Sequence, residues 1–414
     1  MKRKLLKQIS NEWRSNLWLA VELLIISSVL WYIADYVGVF AKLSSEPMGV
    51  DTEHVYCLSI KSKPEDSPTF EPYTEEEDYW AQFGHVMNRL RERPDIECVT
   101  TGSNAVYNYN FWGLLVTPAD ALPDSASING GRTNRFLVNK EYPQVFNMHG
   151  INGETPEQLS AILEEGKVIA TDNMAGNGMT PGDLMNLRIY LGGDSSTVYT
   201  IGAVVEPIKR AEFEPAWHAT LLIPKQDPNG NIYFRVKPDA DRDFARRLLE
   251  ESGTSLNYGN LYIADVYSFD TMRENLHHDD YAQVRNMYVC MGFLLLTVFL
   301  GILGTFWFRT QQRAKELAIR ITAGATRRQL FVRLIGEGLL LLVIVTPFAI
   351  GVDWLITYNN FNASTQYWGP DALLRQLGAA AIVFGCMAVM IVCGILFPAL
   401  RATKLEPAVV LGGE

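Results

Sequence analysis

The residues in this chain that invite a chemical reading are a pair of thiols, a pair of imidazoles, a few glycine-rich turns and some carboxylates set in apolar runs. Cys57 and Cys98 share an acidic region; they read as two free thiols, or as one disulfide if the compartment oxidises. Cys290, Cys386 and Cys393 fall inside apolar blocks and read as small buried packers. His277 and His278 have no third ligand at metal-binding spacing, so they read as a solvated helix face rather than a zinc site. Gly176, Gly178 and Gly182 have no Lys-Ser or Lys-Thr after them and read as β-turns, not a phosphate loop. The run from Glu165 through Gly166 and Lys167 to Val168 lacks the upstream glycine and the hydroxyl residue of a Walker A motif. Neither Gly-x-Ser-x-Gly nor His-Glu-x-x-His occurs. No catalytic, metal-binding or cofactor-binding residue is expected in this chain. What is left is Glu22, Glu337 and Asp353, carboxylates inside apolar runs, where charge is expensive. Asp353 is expected to reach water at a span end; Glu22 and Glu337 read as intramembrane polar groups that bond between helices.

Those carboxylates require helices of hydrocarbon length to hold them. About 20 apolar residues cross a bilayer core, and four segments qualify: 17–40, 286–308, 334–357 and 377–400. Charge separates the rest of the chain into two kinds. Residues 42–284 hold 20 Lys and Arg against 37 Asp and Glu, although the whole chain is only −10. The flanking segments are therefore basic. Residues 1–16 carry Lys2, Arg3, Lys4, Lys7 and Arg14, the 309–333 loop is arginine-rich, and Arg401 and Lys404 follow the last span. The short loop 358–376 is nearly uncharged, with Arg375 and Asp371. Basic short loops face the cytoplasm, so both termini and 309–333 are expected inside, and 41–285 outside. Residues 1–16 read as an amphipathic segment along the inner leaflet or as a basic tail. An acidic domain of this kind argues against nucleic acid as a partner.

The region 41–285 reads as α+β. A strand at 55–60, a helix at 74–91 and a strand at 96–101 make one βαβ unit. A strand at 232–237, a helix at 239–251 capped by Asp239 and a strand at 261–267 make another. Together, 48–102 and 230–268 are expected to form a split βαβ, porter-like part, with 103–229 inserted as a mostly β subdomain. The expected fold class is thus an α-helical membrane protein of four transmembrane helices with an α+β extracytoplasmic domain. Helical pattern resumes at 268 and continues into the second span; residues 35–44 extend the first in the same way.

The segment from Arg309 to Leu330 resembles the cytoplasmic loop of the MacB/FtsX-like ABC transporter permease family. Arg313, Glu316, Gly324, Ala325, Thr326, Arg327 and Arg328 match that family's pattern, while Leu317 and Ala318 stand where it usually has Ile-Gly. Glu337 matches an acidic residue early in the family's third span, and Pro398 to Pro407 is similar to its ending. The resemblance implies a type VII, mechanotransmission permease. Arg313, Glu316, Leu317, Ile319, Gly324, Ala325, Arg327 and Arg328 would then couple to a separate ABC ATPase subunit, which binds the ATP and Mg. It also implies a second permease copy or a related permease as dimer partner, and an inner-membrane location. A periplasmic adaptor is a further implied partner; the alternative function is an FtsX-like regulator that switches a cell-wall hydrolase without transport.

Overall fold

The computed structural model describes residues 13–74, 78–107, 113–225, 230–312, 319, 323–359 and 372–403. Two compact units result, Leu43–His278 on the one hand and Met1–Lys42 with Asp279–Glu414 on the other. The helices are α1 (Trp13–Ser45), α2 (Tyr79–Arg91), α3 (Tyr142–Val145), α4 (Pro156–Glu164), α5 (Phe244–Ser255), α6 (Phe269–Gln312), α7 (Arg327–Tyr358) and α8 (Ala372–Thr403). The strands are β1 (Val55–Ser62), β2 (Ile96–Gly102), β3 (Gly113–Leu114), β4 (Val116–Pro118), β5 (Thr133–Val138) and β6 (Val168–Thr171). They continue with β7 (Arg188–Leu191), β8 (Asp194–Val205), β9 (Thr220–Pro224), β10 (Asn231–Val236) and β11 (Leu261–Ser268).

In Leu43–His278 the strands form one sheet in the order β11-β1-β10-β2-β5-β9-β6-β8-β7-β4, with β3 added on β5. In the first four, each strand is antiparallel to its neighbour. β1 and β2 therefore run the same way with β10 between them, as do β10 and β11 with β1 between them, which is the split βαβ arrangement. In the sheet the β-rich insertion meets it at Gly102 and Val138, beside which the Ser103 amide donates to the Leu137 carbonyl and the Asn139 amide to the Thr101 carbonyl. Alternate side chains of a strand point to opposite faces, and both faces of β1 are covered over Val55–Leu58, which explains why that half is apolar. Tyr56 and Leu58 pack with Phe83, Leu90, Phe244 and Leu248 of α2 and α5, whereas Val55 and Cys57 turn to a second core with Phe146, Tyr233 and Phe269. A third core, around Val168, Ile189, Ile201 and Leu221, fills the insertion.

Two helix starts differ from the sequence reading. α2 begins at Tyr79, where the Asp78 carboxylate accepts from the Trp80 and Ala81 amides; residues 75–77 lie outside the described residues. Asp239 does not cap a helix: Pro238–Ala240 is one 3-10 turn, and α5 starts at Phe244 behind Asp243, at φ 54°. The neighbouring Asp241 explains the delay. Its carboxylate accepts from the Tyr56 hydroxyl at 2.7 Å and lies 3.0 Å from His54 Nδ1, which holds the chain against the sheet before it can coil.

The second unit contains four helices long and apolar enough to cross a membrane, α1, α6, α7 and α8. α1 runs unbroken through Gly38 for 33 residues, and α6 is 44 residues long. Leu23, Trp31, Val298, Ile302, Leu342, Val345, Val383 and Met387 form its core. α8 begins at Ala372, so the C-terminal end of the expected 358–376 loop is helix. Residues 1–12, 360–371 and 404–414 lie outside the described residues, and with them most of the amphipathic segment and the tail.

Candidate functional sites in the elbow and the spans

Only part of the expected coupling segment falls within the described residues: Arg313, Glu316 and Leu317 lie outside them. Ile319 is helical and 57% exposed, and its carbonyl accepts from the Ala323 amide at 3.0 Å. Gly324 has φ +91°, a conformation that an L side chain resists. Ala325 follows, half-buried. Thr326 then caps α7, with its hydroxyl accepting from the Gln329 amide and the Gln329 side chain accepting from its own amide. This reciprocal capping box starts the helix at Arg327, and Arg328 is exposed in its first turn. Gly324 to Thr326 is thus an elbow: a left-handed residue ends one stretch and a cap begins the next. The Thr326-to-Gln329 spacing is itself a helix-start signal in the sequence.

Glu22 is half-buried on α1 and lies against α6 where α6 has no side chain. A Cβ built on Gly301 would stand 2.5 Å from Glu22 Oε1. Glu337 is buried on α7, at 2% exposure. The structure corrects two readings here. Asp353 does not reach water but is 5% exposed, because α1 and α8 residues cover its face of α7. Arg375 is not a loop residue; it is buried in the first turn of α8, with Nε 3.1 Å from Asp35 Oδ1. Asp35, inside the first apolar run, was overlooked altogether as a candidate. The signal was an acid on one span end and a lone arginine on another.

In the domain, Cys57 and Cys98 are free thiols. They sit on β1 and β2, opposite Tyr233 and Arg235 of the intervening β10. Two strand spacings, about 9.6 Å, exceed the reach of a disulfide. Burial pushes the Cys57 thiol up to about 12, and burial with Glu141 nearby pushes Cys98 up to about 11. Neither is a ready nucleophile.

The histidine pair divides. His278 is exposed as expected, but His277 is buried at 1%, its Nε2 accepting from the Glu212 amide and its ring packed on Phe213. No metal-binding cluster occurs among the described residues. Beside His277 lies a group the sequence did not announce. Lys209, 2% exposed, donates to the Leu43 carbonyl at 2.5 Å and the Glu212 carbonyl at 2.8 Å, with a Glu46 oxygen at 4.0 Å. Leu43 belongs to the last turn of α1, where carbonyls lack partners and a cation is favoured. Burial lowers the Lys209 pKa, and Glu46 and Glu212 oppose that shift.

Comparison with known proteins bears on this geometry. Over 188 residues the chain is 25% identical to the macrolide export ATP-binding/permease protein MacB of Escherichia coli, a match covering 44% of this chain and 28% of the relative. The same values hold for MacB 2 of Escherichia coli O1:K1 / APEC. The chain thus spans about 28% of the length of these curated relatives. Among solved structures, the periplasmic region of MacB from Actinobacillus actinomycetemcomitans matches at TM-score 0.31 and 10% identity, covering 57% of this chain and 98% of that one. The extracellular domain of YknZ from Gram-positive bacteria matches at TM-score 0.28 and 12% identity, covering 50% and 100%. Residues 288–407 match the family described as FtsX-like permease C-terminal. The four apolar helices and this match define a multi-pass membrane protein with an FtsX-like permease domain. Through these matches the chain is similar to MacB/FtsX-like ABC transporter permeases.

Proposed function

We propose that this permease converts ATP hydrolysis by a partner ABC ATPase into movement of the 43–278 domain, for export or extraction of an envelope substrate. The observation that carries this reading is the elbow at Gly324 to Thr326, inside the matched region and between two segments rich in arginine. Closure of the ATPase would push on 309–333 and tilt the spans. The clasp made by Lys209 on the Leu43 carbonyl and by the Glu212 amide on His277 would carry the displacement into the β-rich insertion. The acidic domain lies outside and the basic elbow and both termini lie in the cytoplasm, as the distribution of Lys and Arg supports. A second permease copy or a related permease completes the assembly. Replacing Glu316 with Lys is expected to reduce co-purification of the ATPase while membrane insertion is unchanged; undiminished co-purification would remove the coupling role. Crosslinks from the domain to a cell-wall hydrolase, with no substrate moved, would point to the regulator instead.

A further inference from the structure

Three ionisable side chains are buried near one end of the spans, and one of them has no ionic partner among the described residues. Asp35 on α1 and Arg375 on α8 are 1% and 4% exposed and form the ion pair already described. Asp353 on α7 is 5% exposed, has no ion-pair partner among the described residues, and its Oδ1 has no hydrogen-bond partner among them either. Residues 359–376 supply no basic group besides Arg375. Arg375 thus pairs with Asp35, and Asp353 is left without an ionic partner among the described residues. A buried charge in a span normally has a partner or serves a function.

The space beside Asp353 indicates what that partner is. The residue lines a cleft of about 350 Å³, whose walls include Trp31, Pro347, Trp354, Leu373, Gln376 and Leu377. This lies within the usual range of small-ligand sites, roughly 300–1,000 Å³. Trp354, Leu373 and Leu377 are more than half exposed on the protein surface, so the apolar side of the cleft opens where lipid chains lie. Trp31 is buried at the inner end, on the same face of α1 as Asp35 one turn further on. An adjoining cavity of about 20 Å³, lined by Ser27, Thr346 and Asp353, has room for a single water.

We propose that this cleft binds a single-chain cationic amphiphile, with its protonated amine on Asp353 and its alkyl chain along the walls of α7 and α8. The amine supplies an ion-pair partner for the Asp353 carboxyl group, and the indoles of Trp31 and Trp354, which line the same cleft, attract ammonium groups. A neutral lipid would leave the Asp353 carboxyl group without an ion-pair partner. The site is separate from the elbow and requires no ATPase, so it stands or falls independently of the function proposed above.

The test uses the full chain in lipid nanodiscs. Brominated dodecylamine and brominated dodecanol are titrated in, and bromine quenching of tryptophan fluorescence reports occupancy beside Trp31 and Trp354. The amine is expected to saturate at a concentration at least about ten-fold below the alcohol. Asp353→Asn should abolish that advantage, and Leu377→Trp, which fills the cleft but keeps the carboxylate, should abolish it too. Glu337→Gln, which changes a buried carboxylate elsewhere on α7, should leave it intact. Equal saturation by amine and alcohol in the unaltered chain would overturn the proposal, and so would an advantage that survives both Asp353→Asn and Leu377→Trp.

Discussion

Lys209 and Asp353 are both ionisable side chains withdrawn from solvent, one in the domain and one in the spans, yet their surroundings treat them differently. Around Lys209 the fold supplies two carbonyls and a carboxylate, so the charge is spent on fixing the turn that holds Leu43. Around Asp353 it supplies a cleft and a buried oxygen with no hydrogen bond among the described residues. Buried polar atoms are ordinarily paired because an unpaired one costs about 1–3 kcal/mol. The paired group is structural; the unpaired one marks a place where something binds.

Breaking the paired side should therefore be costly. Lys209→Met removes a cation from two buried carbonyls, and we expect a loss of about 3 kcal/mol or more in unfolding of the 43–278 domain, at 1.5–3 kcal/mol for each such bond. Thermal unfolding of the full chain in detergent would measure it. Asp353→Asn, by contrast, should leave that transition in place, which sharpens the contrast between the two groups. Gly301→Ala should cost no more than about 1 kcal/mol, since the atom it meets, Glu22 Oε1, is the far end of a flexible side chain that can swing off α6. Combining it with Glu22→Ala should recover most of that loss, since the clash then has no partner.

The effect that vanishes at neutral pH concerns Cys57. Its thiol stays protonated to about 12 in the folded domain but ionises near 9 when exposed. The unfolded chain therefore binds fewer protons between those values, and stability falls as pH rises through that window. Cys57→Ala should flatten this part of the pH profile, measured as the difference between the two proteins by urea unfolding.

How much of this was legible depends on the range of the interaction. The spans were readable because hydrocarbon-length runs are local, and the strands of the split βαβ part because alternation is local. Helix α4 was just as local: Thr155, Pro156 and Gln158 spell a capping box with proline at the first position, and the structure forms it. β5, by contrast, has weak alternation and gains its partners β9 and β2 from distant segments. The charged pairings were out of reach for the same reason. Asp35 and Arg375 sit on the first and last spans, and nothing in either neighbourhood names the other. His277 and His278 look alike in sequence, and only the packing of Phe213 and Glu212 buries the first.

The proposed function requires that the 43–278 domain and the elbow face opposite sides of one bilayer. Cysteines placed singly in a background without native thiols test it directly, with Glu65→Cys in the domain and Ala323→Cys in the elbow, both exposed positions. A membrane-impermeant thiol reagent added to intact spheroplasts is predicted to label position 65 at once and position 323 only after permeabilisation. Labelling of both from the same side would contradict the account.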